Sequence, residues 1–303
     1  PSVACDCDEV SPTSLSPNFC GTSLVGLIDT LKRVTVRIRL YYKCIDTTEI
    51  ACQPLFGDAN PYVYDNGISQ TFCTGTLLNN VACQPYIISA GHCLRKPVSN
   101  DVLFNTTAVS YSDVDSTLFG RFDFNFDSGM CNTPILPNAN PTFSIVSPAK
   151  IRSRSVILDT LGVTTNAYSH YIGDFVLLQL DKNVPPEFNA IFAGWNAAQA
   201  LPDKGVSVSH PMGFDKRFAL QDDAISLVTI APETYNGVRP FRNNNPNYIA
   251  NISTTDSNNN NHGSYFGLTF DRGSVLGGSS GSGYFNPTGQ LIGTLNGGPS
   301  KCE

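Results

Sequence analysis

No cluster of lysines and arginines stands out in these 303 residues, where 19 basic side chains face 25 acidic ones for a formal net charge of −6. Nucleic acid is therefore not an expected partner, because phosphate binding needs concentrated positive charge. No apolar run approaches the length of a membrane-spanning helix, so no membrane span is expected. No secretory leader opens the chain, which starts at Pro1, so a processed mature form is expected. Paired Cys-x-x-Cys knuckles are missing, and Cys5-Asp-Cys7 is one residue tighter than the usual zinc hairpin. Neither a metal nor an organic cofactor is expected, and no internal repeat shows by period.

What is present points outside the cell. Ten cysteines argue for an oxidising compartment and several disulfides. Asn105-Thr-Thr and Asn251-Ile-Ser are glycosylation sequons, which suit a secreted protein. Short apolar alternations recur, as in Val34 to Leu40, Phe104 to Val109, Val206 to Ser209 and Leu291 to Leu295. Turn residues separate them, including 25 glycines and 20 prolines, so mostly antiparallel β-structure is expected. Leu24 to Lys32 reads as a short helix or turn. Asn243 to Asn261 is polar and Asn-rich, and reads as a long surface loop. A β protein of this length suits two barrels with a site in the cleft between them. We place the N-terminal segment and first barrel in residues 1–165 and the second barrel in 166–303.

Three short segments carry the chemistry. Gly277-Gly278-Ser279-Ser280-Gly281-Ser282-Gly283 can present a serine on a sharp turn whose N–H groups converge on one spot. Ile87-Ile88-Ser89-Ala90-Gly91-His92-Cys93 is an apolar strand ending in small residues and a histidine. Gly173-Asp174-Phe175-Val176-Leu177-Leu178-Gln179-Leu180 puts a carboxylate at the head of an apolar run, where burial demands a donor. His92, Asp174 and Ser280 stand in the chain order His…Asp…Ser. In such a set serine attacks a carbonyl, histidine moves its proton, and aspartate holds the imidazole. Plainer readings stand beside this one. His92 could simply pack beside a disulfide, and Asp174 could open a strand. His170 and His210 are rival bases, His210 as a loop-shaping residue, and His262 sits in the Asn-rich stretch.

Further segments resemble bacterial lysyl endopeptidases, secreted relatives of trypsin. They are Cys73-Thr-Gly-Thr-Leu-Leu-Asn-Asn80, Phe188-Asn-Ala-Ile-Phe-Ala-Gly-Trp195, His210-Pro211 with Asp215-Lys216-Arg217, and Gly293-Thr-Leu-Asn-Gly-Gly-Pro-Ser300. The resemblance implies an all-β, two-barrel chymotrypsin-like fold and a serine endopeptidase acting on protein or peptide. It implies His92 as general base, Asp174 as its orienting acid and Ser280 as nucleophile. The N–H groups of Gly278 and Ser280 would form the oxyanion hole. Ser274, Leu295, Asn296 and Gly297 would line the substrate site. It also implies disulfides Cys73–Cys93, Cys20–Cys131 and Cys302 with Cys7 or Cys5. Cys44 and Cys52 would staple a hairpin, leaving Cys83 for the remaining one of Cys5 and Cys7.

Departures from the pattern shape further expectations. The family binds a substrate lysine through an acidic residue beyond the Cys302 equivalent, and this sequence stops at Glu303. Ile230 stands for the family's tryptophan, Asn296 for its histidine, and Ser274 where trypsins carry aspartate. Asp271 is followed by Arg272 and receives no role. A small or neutral P1 preference is therefore expected. Ser279 precedes the nucleophile in place of the aspartate that pairs with a trypsin's new N-terminus, so disulfides are expected to fix the N-terminal segment. The second barrel is expected to be incomplete at its C-terminal side, and a C-terminal fragment of the same precursor could complete it. The alternative class is a non-catalytic protease homologue acting as an extracellular binding or structural protein.

Overall fold

The computed structural model describes residues 27–43, 62–65, 68–81, 84–94, 117–127, 136, 142–154, 157–158, 170–171, 174–198, 201–230, 248–253 and 263–297. Its strands begin with β1 (Thr35–Lys43), β2 (Tyr62–Asp65), β3 (Ile68–Leu78), β4 (Tyr86–Ser89), β5 (Thr117–Phe124) and β6 (Phe143–Arg154). The short β7 (Ile157–Leu158) and β8 (His170–Tyr171) pair with each other, and β9 (Val176–Leu180) follows.

β1, β5, β6, β9, β4 and β3 pair in that order, and β3 returns to β1, closing an antiparallel six-strand barrel with β2 added on β3. Alternation builds it. Val36, Ile38 and Leu40 of β1 point into the core, as do Val176, Leu178 and Leu180 of β9. They pack with Leu77, Ile87, Phe122, Phe124 and Ile145 from neighbouring strands. Closure leaves the six barrel strands paired on both sides among the described residues, with β2 as an added edge strand.

The second sheet contains β10 (Gly205–Ser209), β11 (Arg217–Gln221), β12 (Ser226–Ile230), β13 (Tyr248–Ser253), β14 (Gly263–Leu268), β15 (Gly283–Phe285) and β16 (Leu291–Gly297). Its order is β11-β10-β15-β16-β13-β14-β12. The sheet curls, because Leu220 of β11 exchanges backbone bonds with Asp271 and Arg272 just past β14. Residues 27–34 form the expected helix, which places Ile28, Leu31 and Val34 against Val206, Val208, Leu220 and Phe285. Three-residue spacing gives that helix one apolar face, and the face covers the second sheet. The all-β chymotrypsin-like architecture is therefore present.

Two expectations need correction. The division at 165/166 assigned the run 176–180 to the second barrel, but β9 lies between β6 and β4 in the first. An apolar strand buried at Val176, Leu178 and Leu180 requires partners on both edges, and only the first barrel supplies them. The stretch 243–261 is not wholly a loop, because 248–253 form β13 between β14 and β16. Its Tyr, Ile and Ala residues suit a pleated strand, and the surrounding asparagines hide that signal. Phe104 to Val109 lies outside the described residues.

Candidate active site

Register brings two of the three segments together. β4 and β9 are antiparallel neighbours, and Ser89 pairs with Val176 at their shared end. His92 follows Ser89 by three residues and Asp174 precedes Val176 by two, so both backbones leave the barrel at the same edge. The Gly91 N–H donates to the Asp174 carbonyl at 3.1 Å. Asp174 is fully buried and holds a left-handed φ of 30°, unusual for a residue with a side chain. The Gly91–Leu94 turn carrying His92 is tied to β3 by the Cys73–Cys93 disulfide. The His92 side chain itself is outside the described set.

The third segment is a turn between β14 and β15. The sulfur of Cys93, the residue after His92, lies 3.8 Å from the Ser280 carbonyl. The segment before Ser280, the turn before β9 and the His92 turn thus meet in one place. Gly278 has a φ of 93° and Gly281 of 82°, which glycine alone adopts without strain. A Cβ on Gly281 would fall 2.1 Å from Ser89 Oγ and 2.4 Å from the Thr74 carbonyl. The turn is therefore wedged against the first barrel.

Its peptide planes are anchored one by one. The Gly277 carbonyl accepts from the Met212 N–H at 2.5 Å, and the Gly278 carbonyl from the Thr74 hydroxyl at 2.9 Å. Ser279 O accepts from Ser282 N–H at 3.0 Å, and Ser280 O from Thr74 N–H at 2.8 Å. Each anchored carbonyl turns the N–H of the same peptide the other way. Among the described residues, the N–H groups of Gly278 and Ser280 donate to nothing. Two oriented, unpaired donors flanking a half-buried serine can stabilise a developing oxyanion. Ser279 is buried and its hydroxyl accepts from Leu276 N–H at 3.2 Å, so the residue before the serine braces the turn from within.

Leu295 exchanges backbone bonds with this turn, accepting from Gly281 and donating to Ser282, both at 2.8 Å. Asn296 is half-buried beside it, and Gly297 pairs with Ile249 on β13. Ser274 is half-buried in the segment leading to the turn. Asp271 is exposed and accepts from the Asp222 N–H at 2.6 Å.

The rival histidines separate clearly. His210 is fully buried, and its Nδ1 lies 2.9 Å from the Phe214 carbonyl, which assigns the proton to Nδ1. Burial, with Lys216 and Arg37 nearby, holds its pKa well below the ordinary histidine value. It shapes the 210–214 loop. His170 lies in β8, and His262 is outside the described residues.

Composition and motif concealed the supports around this site. Thr74 and the Met212 backbone hold the serine turn and Ser89 braces Thr74, yet nothing in the quoted segments showed what their hydroxyls bind. Behind the 210–214 loop, Asp123 receives three arginines: Arg37 Nη2 at 2.7 Å, Arg39 Nε at 2.9 Å and Arg121 Nε at 2.9 Å. Arg37 also donates to the Gly213 carbonyl and stacks 3.3 Å from the Phe126 ring centroid. Burial lowers Arg37 to about 9 despite Asp123. The alternation Val36-Arg37-Ile38-Arg39 was the available signal: apolar residues in, paired arginines toward a covered outer face. Lys216 is also buried, and desolvation brings it down to about 7.

Of the expected disulfides, Cys73–Cys93 is formed. Cys5, Cys7, Cys20, Cys44, Cys52, Cys83, Cys131 and Cys302 lie outside the described residues, as does Asn105. Asn251 lies in β13. Among the described residues no group of His, Cys, Asp and Glu could hold a metal, and no helix is long and apolar enough to cross a membrane.

Several solved proteases resemble the chain at low identity. A serine-to-alanine variant of the HtrA-type protease AlgW with a decapeptide is 12% identical, the match covering 91% of this chain and 58% of that one at a TM-score of 0.41. AlgW itself with a decapeptide is 11% identical, covering 90% and 58% at a TM-score of 0.39. An inactive serine-to-alanine mutant of Rv3671c from Mycobacterium tuberculosis is 11% identical, covering 93% and 80% at 0.37. This chain thus spans 58% of the length of the AlgW structures. The family model of the lysyl endopeptidase C-terminal domain matches residues 58–303, most of the chain, and the chain belongs to that family.

Proposed function

We propose that the protein is an extracellular serine endopeptidase that cleaves peptide bonds through an acyl-enzyme on Ser280. The observation that carries this reading is the turn at Gly278 to Ser280, with two N–H groups that find no acceptor among the described residues. Its Ser280 carbonyl lies 3.8 Å from the sulfur of Cys93 on one side of His92, and Gly91 on the other side donates to the Asp174 carbonyl. In the proposed cycle His92 takes the Ser280 proton as Oγ attacks the scissile carbonyl. The carbonyl π electrons move onto oxygen, where the N–H groups of Gly278 and Ser280 receive them. Collapse expels the amine, protonated by His92; water then attacks the acyl group by the same path in reverse order. Asp174 holds the imidazole tautomer and offsets its positive charge.

Membership of the family supports protease chemistry, whereas lysine specificity does not follow from it here. Ser274 carries no charge, and the Asp271 carboxylate is engaged by the Asp222 N–H. The pocket we propose takes a small or neutral P1 side chain. The Cys73–Cys93 disulfide fits a secreted protein. A peptide-library digest tests both parts. Wild type should cleave after small or neutral residues, and Ser280→Ala should not cleave. A lysine-dominated profile overturns the P1 reading. Absence of cleavage by folded wild type overturns the enzyme reading in favour of a binding role.

A further inference from the structure

We propose that Thr74 is the positioning residue that sets the direction of the Gly278 N–H in the oxyanion hole, an inference that rests on the acyl-transfer reading above. Thr74 belongs to β3 of the first barrel, yet it grips two loops of the second. Its hydroxyl donates to the Gly278 carbonyl at 2.9 Å and accepts from the His210 N–H at 2.9 Å. Its own N–H donates to the Ser280 carbonyl at 2.8 Å, and its carbonyl accepts from Ser89 Oγ at 2.7 Å. Among the described residues, Thr74 alone bonds the carbonyls on both sides of Ser279 and Ser280.

The Gly278 N–H lies in the Gly277–Gly278 peptide plane, and the Gly278–Ser279 plane limits how far the first can turn about Gly278. Met212 N–H fixes the plane before it, and the Thr74 hydroxyl fixes the plane after it. Glycine at φ 93° offers little resistance to rotation, so external anchors must hold both planes. Met212 can do its part only because the 210–214 loop is held in turn. His210 N–H binds the same Thr74 hydroxyl, and Arg37, neutralised by Asp123, binds the Gly213 carbonyl. One hydroxyl therefore serves both planes, directly for the second and through His210 for the first. Thr74 is fully buried, so water does not replace the hydroxyl in a variant of the same shape.

Thr74→Val keeps size and branching while removing both side-chain bonds. The test follows phosphonylation of Ser280 by a fluorophosphonate, whose phosphoryl oxygen occupies the oxyanion hole. Wild type, Thr74→Val and Thr74→Ser are compared for maximal inactivation rate, reagent affinity and pH profile. The expected result for Thr74→Val is a fall of about 10- to 100-fold in the maximal rate, the scale of losing or misplacing one oxyanion donor. Affinity should stay within about twofold and the pH midpoint should not move, because His92 and Asp174 are untouched. Thr74→Ser, which restores the hydroxyl, should recover most of the rate. Should Thr74→Val not fold, Thr74→Ala takes its place in the same comparison. A folded hydroxyl-free variant that reacts at the wild-type rate overturns the inference, as does loss that Thr74→Ser fails to recover. Wild type that is not labelled at all overturns the acyl-transfer reading instead.

Discussion

The two halves of the candidate site are built by different means. His92 and Asp174 leave paired strands of a closed barrel, so regular register sets their backbones and one disulfide ties the histidine turn. The Ser280 turn leaves an open, curled sheet and is held by single hydrogen bonds, two of them from Thr74 of the other barrel. One side would keep its shape alone. The other is held partly from its own sheet, by Leu295, Leu276 and Met212, and partly across the interface by Thr74, so activity should be more sensitive to interface changes than the first barrel's stability is.

The largest expected effect removes the nucleophile. Ser280→Ala should lower the turnover rate by roughly a millionfold, with thermal stability little changed, as peptide hydrolysis and calorimetry would show. Asp174→Asn attacks the register-built side and should cost about ten-thousandfold in the same assay, since the neutral amide favours the wrong histidine tautomer. Asp123→Asn tests the docking itself. It leaves three arginines around a neutral amide, and should destabilise the protein by about 3–5 kcal/mol in urea titration.

Replacing Cys73 and Cys93 together by serine should cost about 3 kcal/mol, judged from the 20-residue separation the bond closes. The account expects it to slow His92-dependent chemistry more than it disturbs the serine turn. The smallest effect, about 1 kcal/mol between pH 7 and 8, is the pH dependence carried by Lys216. An unfolded lysine keeps its proton up to 10.5, while the folded one releases it near 7, so the unfolded state binds more protons between those values. Stability therefore rises with pH across that window, and Lys216→Met should flatten the rise in urea titrations.

The sequence made the chemistry easier to see than its support. Ser280, His92 and Asp174 stood out because each sits beside an abrupt change: glycines, small residues or the head of an apolar run. The strands near Val36, Val206 and Leu291 were equally plain from alternation. β13 was missed because asparagines on both sides dilute a six-residue strand signal. β9 was placed in the wrong barrel because pairing partners across more than eighty residues, such as Ile87 with Leu178, cannot be read from local pattern. Thr74 stood inside the quoted Cys73–Asn80 segment, but its role left no mark for a related reason. A buried threonine in a strand looks like any β-branched residue until the loops that need its hydroxyl arrive.

The central claim is that Ser280 is an activated nucleophile, and covalent labelling tests it most directly. Intact protein treated with a fluorophosphonate should gain one adduct, mapped by peptide mass spectrometry to Ser280 and lost in His92→Ala. A cooperatively folded protein that stays unmodified, or carries the adduct on another residue, would contradict it.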